Sequence, residues 1–269
     1  MNKVRKIALE LFPYLDENIK CLCNGEHDIC LQCIVCHAKK YEPVKIEIPQ
    51  QPKDIAKYID HTALKPDTRI QDIKRLCEQA DKYHFASVCV NPIYVSYAKE
   101  FLQKSDNIAV CSVIGFPLSA NRTETKLKEL ELSLQDGAEE IDMVINLGML
   151  MSGKYQIVEQ EIAEISKVCR DNNVILKVIL ENCLLNEDKK IIANLLAKKA
   201  GADFVKTSTG FSSGGAEVMD VKLMRKIVGN YIGVKAAAGI RTFEKAKAMI
   251  QAGANRIGAS ASLNIIKRD

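Results

Sequence analysis

The sequence predicts a (β/α)₈ TIM barrel over residues 53–269, preceded by a short cysteine-rich N-terminal extension over residues 1–52. First, eight short runs rich in β-branched residues alternate with segments of helical period, as in repeated βα units. Second, most of these runs are continuously apolar, which is typical of parallel strands buried on both faces. Third, the repeating part is close to the size of about 250 residues that is usual for this barrel.

The predicted strands cover residues 55–62, 85–91, 108–116, 139–147, 174–181, 202–209, 231–239 and 255–260. The clearest helices are predicted over residues 122–137 and 153–172. Gly137, Gly201 and Gly253 each lie just before a predicted strand, where a helix end needs positive φ. The rival architecture is an open, doubly wound sheet. A dinucleotide-binding sheet of that kind would carry G-x-G-x-x-G after an early strand, and the sequence has none there.

The composition is that of an ordinary globular protein, with 47% apolar and 27% charged residues in a chain of 269. A net charge of +4 is too small to favour nucleic acid or an anionic membrane as a partner. The sequence holds no apolar run near the ~18–20 residues of a membrane span. The first twenty residues carry acids where a secretory signal would have an apolar core. We therefore expect a cytoplasmic protein.

Charged residues interrupt several predicted strands near their carboxyl ends, where a barrel of this kind carries its active site. Lys206 and Lys235 lie in strands six and seven. Asp142, Lys177 and Asp60 lie in strands four, five and one. A single lysine could reach solvent with its long stem. Two lysines on adjacent strands, with an aspartate and a third lysine nearby, favour a functional site because isolated charge in a strand interior is costly.

The chemistry of these residue types favours a class I aldolase. Two ammonium groups held close together lower each other's pKa, so one of the two lysines can be a neutral amine. A neutral amine attacks a carbonyl to form a Schiff base, which acts as an electron sink for cleavage of a C–C bond. Asp142 can then carry protons between the intermediates. This chemistry needs no metal or cofactor.

The ends of the last three predicted strands are rich in glycine and hydroxyl residues. Backbone N–H groups there could hold a phosphate, a common use of strands seven and eight in this barrel. The alternative is that these are only short turns between strand and helix. The candidate binding residues are Thr209, Gly210, Gly239 and Ser260.

In seven segments the sequence resembles the deoxyribose-phosphate aldolase family. They are IDHTALKPDT (59–68), SVCVNP (87–92), VIGFPLSANRTETK (113–126), EEIDMVINLGML (139–150), GADFVKTSTGFSSGGA (201–216), GVKAAAGIRT (233–242) and RIGAS (256–260). They occur in order from about Ile55 to Ser260. KTSTG followed by VKAAAGIRT is the most specific part of the resemblance.

The resemblance implies roles for individual residues. Lys206 would be the Schiff-base lysine, Lys235 the second lysine that perturbs it, and Asp142 the acid–base residue. The remaining matches are Lys177 as a lysine supporting the aspartate, Cys89 near the substrate channel and Asp60 at the pocket mouth.

The resemblance also implies a reaction and its setting. Family members reversibly split 2-deoxy-D-ribose 5-phosphate into D-glyceraldehyde 3-phosphate and acetaldehyde, in cytoplasmic deoxynucleoside catabolism. The expected partners are therefore small phosphosugars and aldehydes, and the expected assembly is a homo-oligomer, a dimer or a tetramer.

The sequence departs from the family pattern in the expected phosphate site. Ala238-Gly239 stands where the family has paired glycines, and Ser260-Ala261-Ser262 where it has two serines and a glycine. An alanine methyl can obstruct close approach of the backbone to a ligand. One rival hypothesis is therefore a Schiff-base aldolase for an unphosphorylated or other aldehyde. Another is a non-catalytic barrel that serves as a metal-binding or redox-sensing module.

The extension contains five of the ten cysteines in a C-x-C-x₆-C-x₂-C-x₂-C-H pattern that runs from Cys21 to His37. C-x₂-C pairs are typical of zinc sites, and the candidate ligands are Cys23, Cys30, Cys33 and Cys36. An iron–sulfur cluster is a less favoured alternative, and the last five residues formally fit a haem-attachment pattern. The third alternative is a poorly ordered or redox-reactive tail without metal. A bound metal would supply ordering energy that so short a segment lacks.

Overall fold

The computed structural model describes residues 3–12, 45–105 and 107–267, and eight parallel strands within them close into a barrel in the order β1 to β8. The strands are β1 Ile59–Ala63, β2 Ser87–Val90, β3 Ala109–Ile114, β4 Glu140–Val144, β5 Ile175–Ile179, β6 Phe204–Lys206, β7 Gly233–Ala237 and β8 Arg256–Ala259. β8 pairs with β1 and completes the ring. The predicted barrel is confirmed, and a closed ring excludes the open sheet.

Helices lie between successive strands. The helices are α1 Lys3–Leu11, α2 Ile70–Tyr83, α3 Val95–Phe101, α4 Thr123–Gln135, α5 Leu147–Met151, α6 Tyr155–Asp171, α7 Glu187–Lys199, α8 Val218–Val228, α9 Phe243–Gln251 and α10 Ser262–Ile266. Shorter 3₁₀ helices cover Pro52–Tyr58, Pro92–Tyr94 and Asn182–Leu184. In the described part of the chain, none of the helices has the length and apolar character needed to cross a membrane.

The helix predictions over residues 122–137 and 153–172 correspond to α4 and α6. Gly137, Gly201 and Gly253 have φ of 98°, 88° and 114°, as expected for glycines that end helices before the next strand. A β-carbon on Gly253 would lie 2.7 Å from Cγ of Arg225, so a side chain there would also collide with α8.

The first strand prediction, over residues 55–62, is wrong in its first half. Residues 55–58 belong to the 3₁₀ helix Pro52–Tyr58, and β1 begins only at Ile59. This helix begins at a proline, whose fixed φ suits the first turn of a helix. Ile55 and Tyr58 are buried because the helix packs against α9 and α10. A short apolar run indicates burial but does not separate a buried strand from a buried helical turn.

The N-terminal helix α1 packs against α7 on the outside of the barrel. Its Val4 and Ala8, with Phe12 just beyond its end, belong to the same buried apolar cluster as the barrel residues. The cysteine cluster between Cys21 and Cys36 lies outside the described residues, and so do the predicted metal ligands. The division into residues 1–52 and 53–269 stays a prediction.

Candidate active site

Charged residues from neighbouring strands meet in the barrel interior because the strands place them side by side. Asp142 of β4 is the register partner of Lys177 of β5, and Lys206 of β6 is the partner of Lys235 of β7. Lys235 is in turn the partner of Arg256 of β8. The structure confirms the sequence prediction that the three lysines and Asp142 lie close together, and it adds Arg256 to them.

Asp142 lies at the centre of this network, and three amines converge on its carboxylate. Its Oδ2 accepts hydrogen bonds from Nζ of Lys206 and from Nζ of Lys235, each at 2.7 Å. Its Oδ1 accepts from Nζ of Lys177 at 3.0 Å. Asp142, Lys177 and Lys235 are fully buried, and Lys206 is 2% exposed. A proton can therefore pass between Lys206 and Lys235 through a single oxygen.

A second layer of charges lies beneath this centre. Asp60 pairs with Nζ of Lys235 at 2.6 Å and with Nε of Arg256 at 2.6 Å. Glu140 pairs with Nζ of Lys177 at 2.6 Å and with Nη2 of Arg256 at 2.9 Å. Asp60 is 0% exposed, so the expectation that it lies at the pocket mouth is wrong. Its ion pairs with Lys235 and Arg256 hold it inside the barrel.

The network contains four basic groups and three carboxylates. The basic groups are Lys177, Lys206, Lys235 and Arg256, and the carboxylates are Asp60, Glu140 and Asp142. In the part of the chain that the structure describes, Lys206 forms an ion pair only with Asp142, which it shares with two other lysines. Because buried charge without a counterion is costly, Lys206 is the amine that can lose its proton with the least loss of pairing.

The buried ion pairs fix the charge states around Lys206. Burial raises the pKa of Asp142, but the ammonium groups of Lys177, Lys206 and Lys235 outweigh it and hold that pKa well below its ordinary value. Burial lowers the pKa of Lys177, but Asp142, Cys111 and Glu140 raise it well above its ordinary value. Lys235 is likewise held protonated, because the effect of Asp142 and Asp60 on its pKa exceeds that of burial.

Lys206 lines a cavity of about 860 Å³ at the carboxyl ends of the strands. The four residues predicted to bind a phosphate, Thr209, Gly210, Gly239 and Ser260, line the same cavity. So do the three basic residues Lys65, Arg69 and Arg241. The amine of Lys206 and the glycine-rich turns therefore line the same cavity.

Two cysteines also contact Asp142. Sγ of Cys89 lies 3.9 Å from Oδ2, and Sγ of Cys111 lies 3.2 Å from Oδ1. Both thiols are fully buried. Cys111 also lies 3.5 Å from Nζ of Lys177. The prediction placed Cys89 near the substrate channel, and the structure places it, fully buried, against the Asp142 carboxylate and beside Leu64, which lines the cavity.

Glu181 anchors the loop that follows Lys206. It is 1% exposed, and its carboxylate accepts from the backbone N–H of Thr209 at 3.2 Å, from Oγ of Ser212 at 3.0 Å and from the Thr209 hydroxyl. Glu181 has φ of 54°, a left-handed conformation that a residue with a side chain adopts at a cost. The end of β5 therefore holds the cavity-lining residues in place.

Sequence reasoning missed Glu140, Arg256 and Cys111 as neighbours of the charged network, whereas it did single out Glu181 with Lys177 on strand five. Glu140 could have been found, because it lies two residues before Asp142 and alternate residues of a strand share a face. Arg256 begins β8 and reaches Glu140 across the barrel, a contact that no local pattern indicates. A lone cysteine such as Cys111 is most often a small buried apolar residue, so its contact with Asp142 has no signal in the sequence.

Comparison with known proteins gives a consistent result. A family model of DeoC/LacD family aldolases matches residues 55–268. The deoxyribose-phosphate aldolase of Thermococcus gammatolerans is 57% identical over 215 residues, which are 80% of this chain and 96% of that protein. The deoxyribose-phosphate aldolase of Caldanaerobacter subterraneus subsp. tengcongensis is 55% identical over 215 residues, 80% of this chain and 93% of that protein.

A solved structure shares the fold. The tetrameric deoxyribose phosphate aldolase of Aeropyrum pernix superposes with a TM-score of 0.76 at 33% identity, covering 81% of this chain and 92% of that chain. The family match spans well over half of the sequence and includes every strand of the barrel. This chain therefore belongs to the DeoC/LacD family of aldolases.

Proposed function

We propose that this chain is a deoxyribose-phosphate aldolase that reversibly cleaves 2-deoxy-D-ribose 5-phosphate to D-glyceraldehyde 3-phosphate and acetaldehyde. One observation carries the proposal: at the cavity floor, the Lys206 amine donates to an Asp142 oxygen that Lys235 also contacts, each at 2.7 Å. The names of the relatives support the choice of substrate.

The reaction begins with the neutral amine of Lys206. It attacks the C1 aldehyde of the open-chain sugar, and the resulting carbinolamine loses water to form a protonated Schiff base. The departing hydroxyl needs a proton, and the attacking nitrogen loses one. Asp142 can supply and accept these protons because its Oδ2 is hydrogen-bonded to Lys206, and Lys235 can take part through the same oxygen, to which it also donates.

Cleavage follows from the electron demand of the iminium. The C3 hydroxyl passes its proton to Asp142, the C2–C3 bond breaks, and its electron pair moves toward the nitrogen, giving an enamine on Lys206 and free D-glyceraldehyde 3-phosphate. Protonation of the enamine at its terminal carbon restores an iminium, and water then releases acetaldehyde and the free amine. No step needs a metal or a cofactor, since the covalently bound nitrogen is the electron sink.

The phosphate would lie at the cavity mouth. Among the described residues, the backbone N–H groups of Gly210, Gly239 and Ser260 donate to no protein acceptor, so they are available to an anion. Ala238 has φ of 72°, the left-handed conformation that the family's glycine would adopt. The alanine therefore does not prevent the backbone from taking the conformation that a phosphate cradle needs.

The setting of the reaction is also part of the proposal. The tetramer described for the Aeropyrum pernix relative supports a homo-oligomer. A phosphorylated sugar substrate supports a cytoplasmic location, and the cysteine spacing of residues 21–36 supports a structural zinc site in the extension. We keep residues 53–269 as the catalytic unit and residues 1–52 as the appended segment.

Borohydride trapping tests the amine chemistry. Protein incubated with acetaldehyde and borohydride at neutral pH should carry an ethyl group on Lys206, located by peptide mass mapping. Lys206→Met should lose this label, whereas Lys128→Met, which removes a lysine on the exposed face of α4, should keep it. Absence of a Lys206 adduct at neutral pH would contradict the proposal.

A substrate comparison separates the proposal from the rival that acts on unphosphorylated aldehydes. We expect a higher kcat/KM for 2-deoxy-D-ribose 5-phosphate than for 2-deoxy-D-ribose, because the mouth offers N–H donors and basic side chains to the phosphate. Equal values for the two sugars would favour the rival.

A further inference from the structure

Two thiols in the barrel interior have no part in the proposed reaction. Cys89 of β2 and Cys111 of β3 are register partners on adjacent strands, so their side chains lie next to each other. Each contacts the Asp142 carboxylate. The two Sγ atoms and a carboxylate oxygen of Asp142 all lie within 4.8 Å of one another.

We propose that Cys89, Cys111 and Asp142 form a binding site for a thiophilic divalent cation of the Zn²⁺ class, and that occupancy of this site inhibits the aldolase. Two thiolates and one carboxylate are a donor set that suits such an ion, and thiolates favour it over Mg²⁺ or Ca²⁺. Three protein ligands leave a fourth position for water.

The donor atoms lie near, but not at, the spacing that this ion requires. Bonds of about 2.3 Å to sulfur and about 2.1 Å to oxygen at a tetrahedral angle set the sulfur and oxygen ligands roughly 3.6 Å apart. The sulfur–oxygen distances are 3.2 Å from Cys111 to Oδ1 and 3.9 Å from Cys89 to Oδ2, so each thiol contacts a different oxygen of the carboxylate. With one carboxylate oxygen as ligand, the three donor atoms lie within 4.8 Å of one another, and they must approach by up to about 1.2 Å to reach the tetrahedral spacing.

The charge balance also permits an ion here, despite the nearby ammonium groups. Binding replaces two thiol protons by one divalent cation, so the net charge of the barrel interior does not change. Lys177 already lies 3.5 Å from Sγ of Cys111 and can donate to that sulfur once it is a thiolate. The displaced protons leave to solvent through the cavity at Lys206.

Inhibition follows from the loss of Asp142 as a proton carrier. A carboxylate oxygen bound to the ion has less electron density to accept hydrogen bonds from Lys206 and Lys235, which both donate to Asp142. The same entrance serves substrate and ion, because Lys206 is the member of the charged network that reaches the cavity. The inference rests on the proposed function only for its effect on activity, not for the binding itself.

The test uses Cd²⁺ as the probe and compares the full-length chain with two single variants. Cys111→Ser removes one ligand while conserving the side-chain volume, and the proposed reaction does not use this residue. Cys169→Ser removes another buried thiol, which lies on α6 outside the barrel interior. The cysteines between Cys21 and Cys36 remain in all three proteins and contribute the same background.

Binding is measured by the ultraviolet absorption of Cd²⁺–thiolate bonds, and inhibition by the loss of turnover relative to each protein's own activity without metal. We expect the unmodified chain and Cys169→Ser to be inhibited at the same Cd²⁺ concentration and to recover on addition of a chelator. Cys111→Ser should need a concentration at least about tenfold higher, since disturbing a single supporting residue already costs 10–100-fold in metal affinity.

Two outcomes would overturn the proposal. One is inhibition of Cys111→Ser at the concentration that inhibits the unmodified chain. The other is an unchanged Cd²⁺–thiolate absorption in that variant, which would assign the binding to thiols elsewhere. If the chain proves not to be an aldolase, the absorption difference between Cys111→Ser and Cys169→Ser still decides whether the site exists.

Discussion

Asp142 shows how one residue can serve three partners at once. Its two oxygens accept from Lys177, Lys206 and Lys235, and all three amines are almost completely removed from water. The aspartate therefore sets the distances between the amines as well as the charge that each can carry. If one amine is removed, the hydrogen bonds of the carboxylate should be redistributed to the two amines that remain.

Lys235→Met tests this redistribution. With one cation fewer, Asp142 and the surrounding field stabilise the ammonium form of Lys206 more strongly, so a higher pH is needed to obtain the neutral amine. We expect borohydride trapping with acetaldehyde at neutral pH to be slower than in the unmodified chain, and the pH profile of trapping to move to higher pH. Turnover should fall strongly as well.

Lys128→Met is the matched control, because this lysine lies on the exposed face of α4 and pairs with Glu131. Its trapping profile should coincide with that of the unmodified chain. If the profile of Lys235→Met were also unchanged between pH 6 and pH 9, the proposed coupling between the two lysines would be wrong.

Among the elements, the end of β5 and the loop after β6 depend on each other. Glu181 leaves the strand conformation with φ of 54° and turns its carboxylate toward Thr209 and Ser212. The loop it holds begins three residues after Lys206 and lines the cavity. A strained residue that is held by several hydrogen bonds is a common feature of functional sites.

Substitutions at Glu181 separate the effect of the carboxylate from that of the strain. Glu181→Ala leaves the buried donors of the loop without an acceptor, and we expect a loss of about 2 kcal/mol in the free energy of unfolding. Glu181→Gly loses the same acceptor but relieves the left-handed strain, so it should be more stable than Glu181→Ala by about 0.5–1 kcal/mol. Urea denaturation measures both values.

Kinetics complete this experiment. Both variants should raise KM for the phosphorylated sugar, because Thr209 and Gly210 lose their fixed positions, whereas Glu181→Gln should retain part of the affinity by keeping one oxygen acceptor. A Glu181→Ala variant with unchanged stability and unchanged KM would show that the carboxylate does not hold the loop.

At the scale of the whole molecule, the buried titratable groups determine how stability depends on pH. Burial lowers the pKa of His61, so stability should be lost as the pH falls below its unfolded value of about 6.5. Burial raises the pKa of Cys77 and of Cys169 to about 12, so stability should be lost as the pH rises above their unfolded value of about 8.5.

We therefore expect the free energy of unfolding to be greatest between roughly pH 6.5 and pH 8.5. The ion pairs add to the loss of stability at both extremes of pH. The pKa of Asp142 is lowered in the folded protein, so this residue contributes a further loss of stability below about pH 3.9. The pKa of Lys177 is raised in the folded protein, so this residue contributes a further loss of stability above about pH 10.4. Chemical denaturation at a series of pH values measures the profile. Asp142→Asn should show a shallower acid limb below pH 4, and an acid limb parallel to that of the unmodified chain would contradict this assignment.

The repeated units were predictable from the sequence because their signals are local. Helix ends are marked by the glycines at positions 137, 201 and 253, which supply the positive φ needed there. Buried strands are marked by apolar runs between the helical segments. Both signals depend largely on neighbouring residues. Residues 55–58 were assigned wrongly because their apolar pattern fits two kinds of buried element.

The candidate site was predictable in part. Asp142, Lys177, Lys206 and Lys235 stood out because charge inside an apolar strand is unusual, and a barrel brings the carboxyl ends of its strands together. The burial of Asp60 was not predictable, since it depends on its pairing with Arg256 from the far end of the chain. The contact of Cys111 with Asp142 depends likewise on strand register.

The sequence by itself determined that this protein is a βα barrel with two lysines and an aspartate facing one another, since residue type, period and order along the chain are all local information. Only the tertiary structure decided which partners each charge has. Four basic groups share three carboxylates, and among the described residues Lys206 pairs only with Asp142, a carboxylate that it shares with Lys235. The physical reason is that the energy of a buried charge depends on the atoms within a few ångströms, and ring closure between β1 and β8 selects those atoms from residues nearly two hundred positions apart.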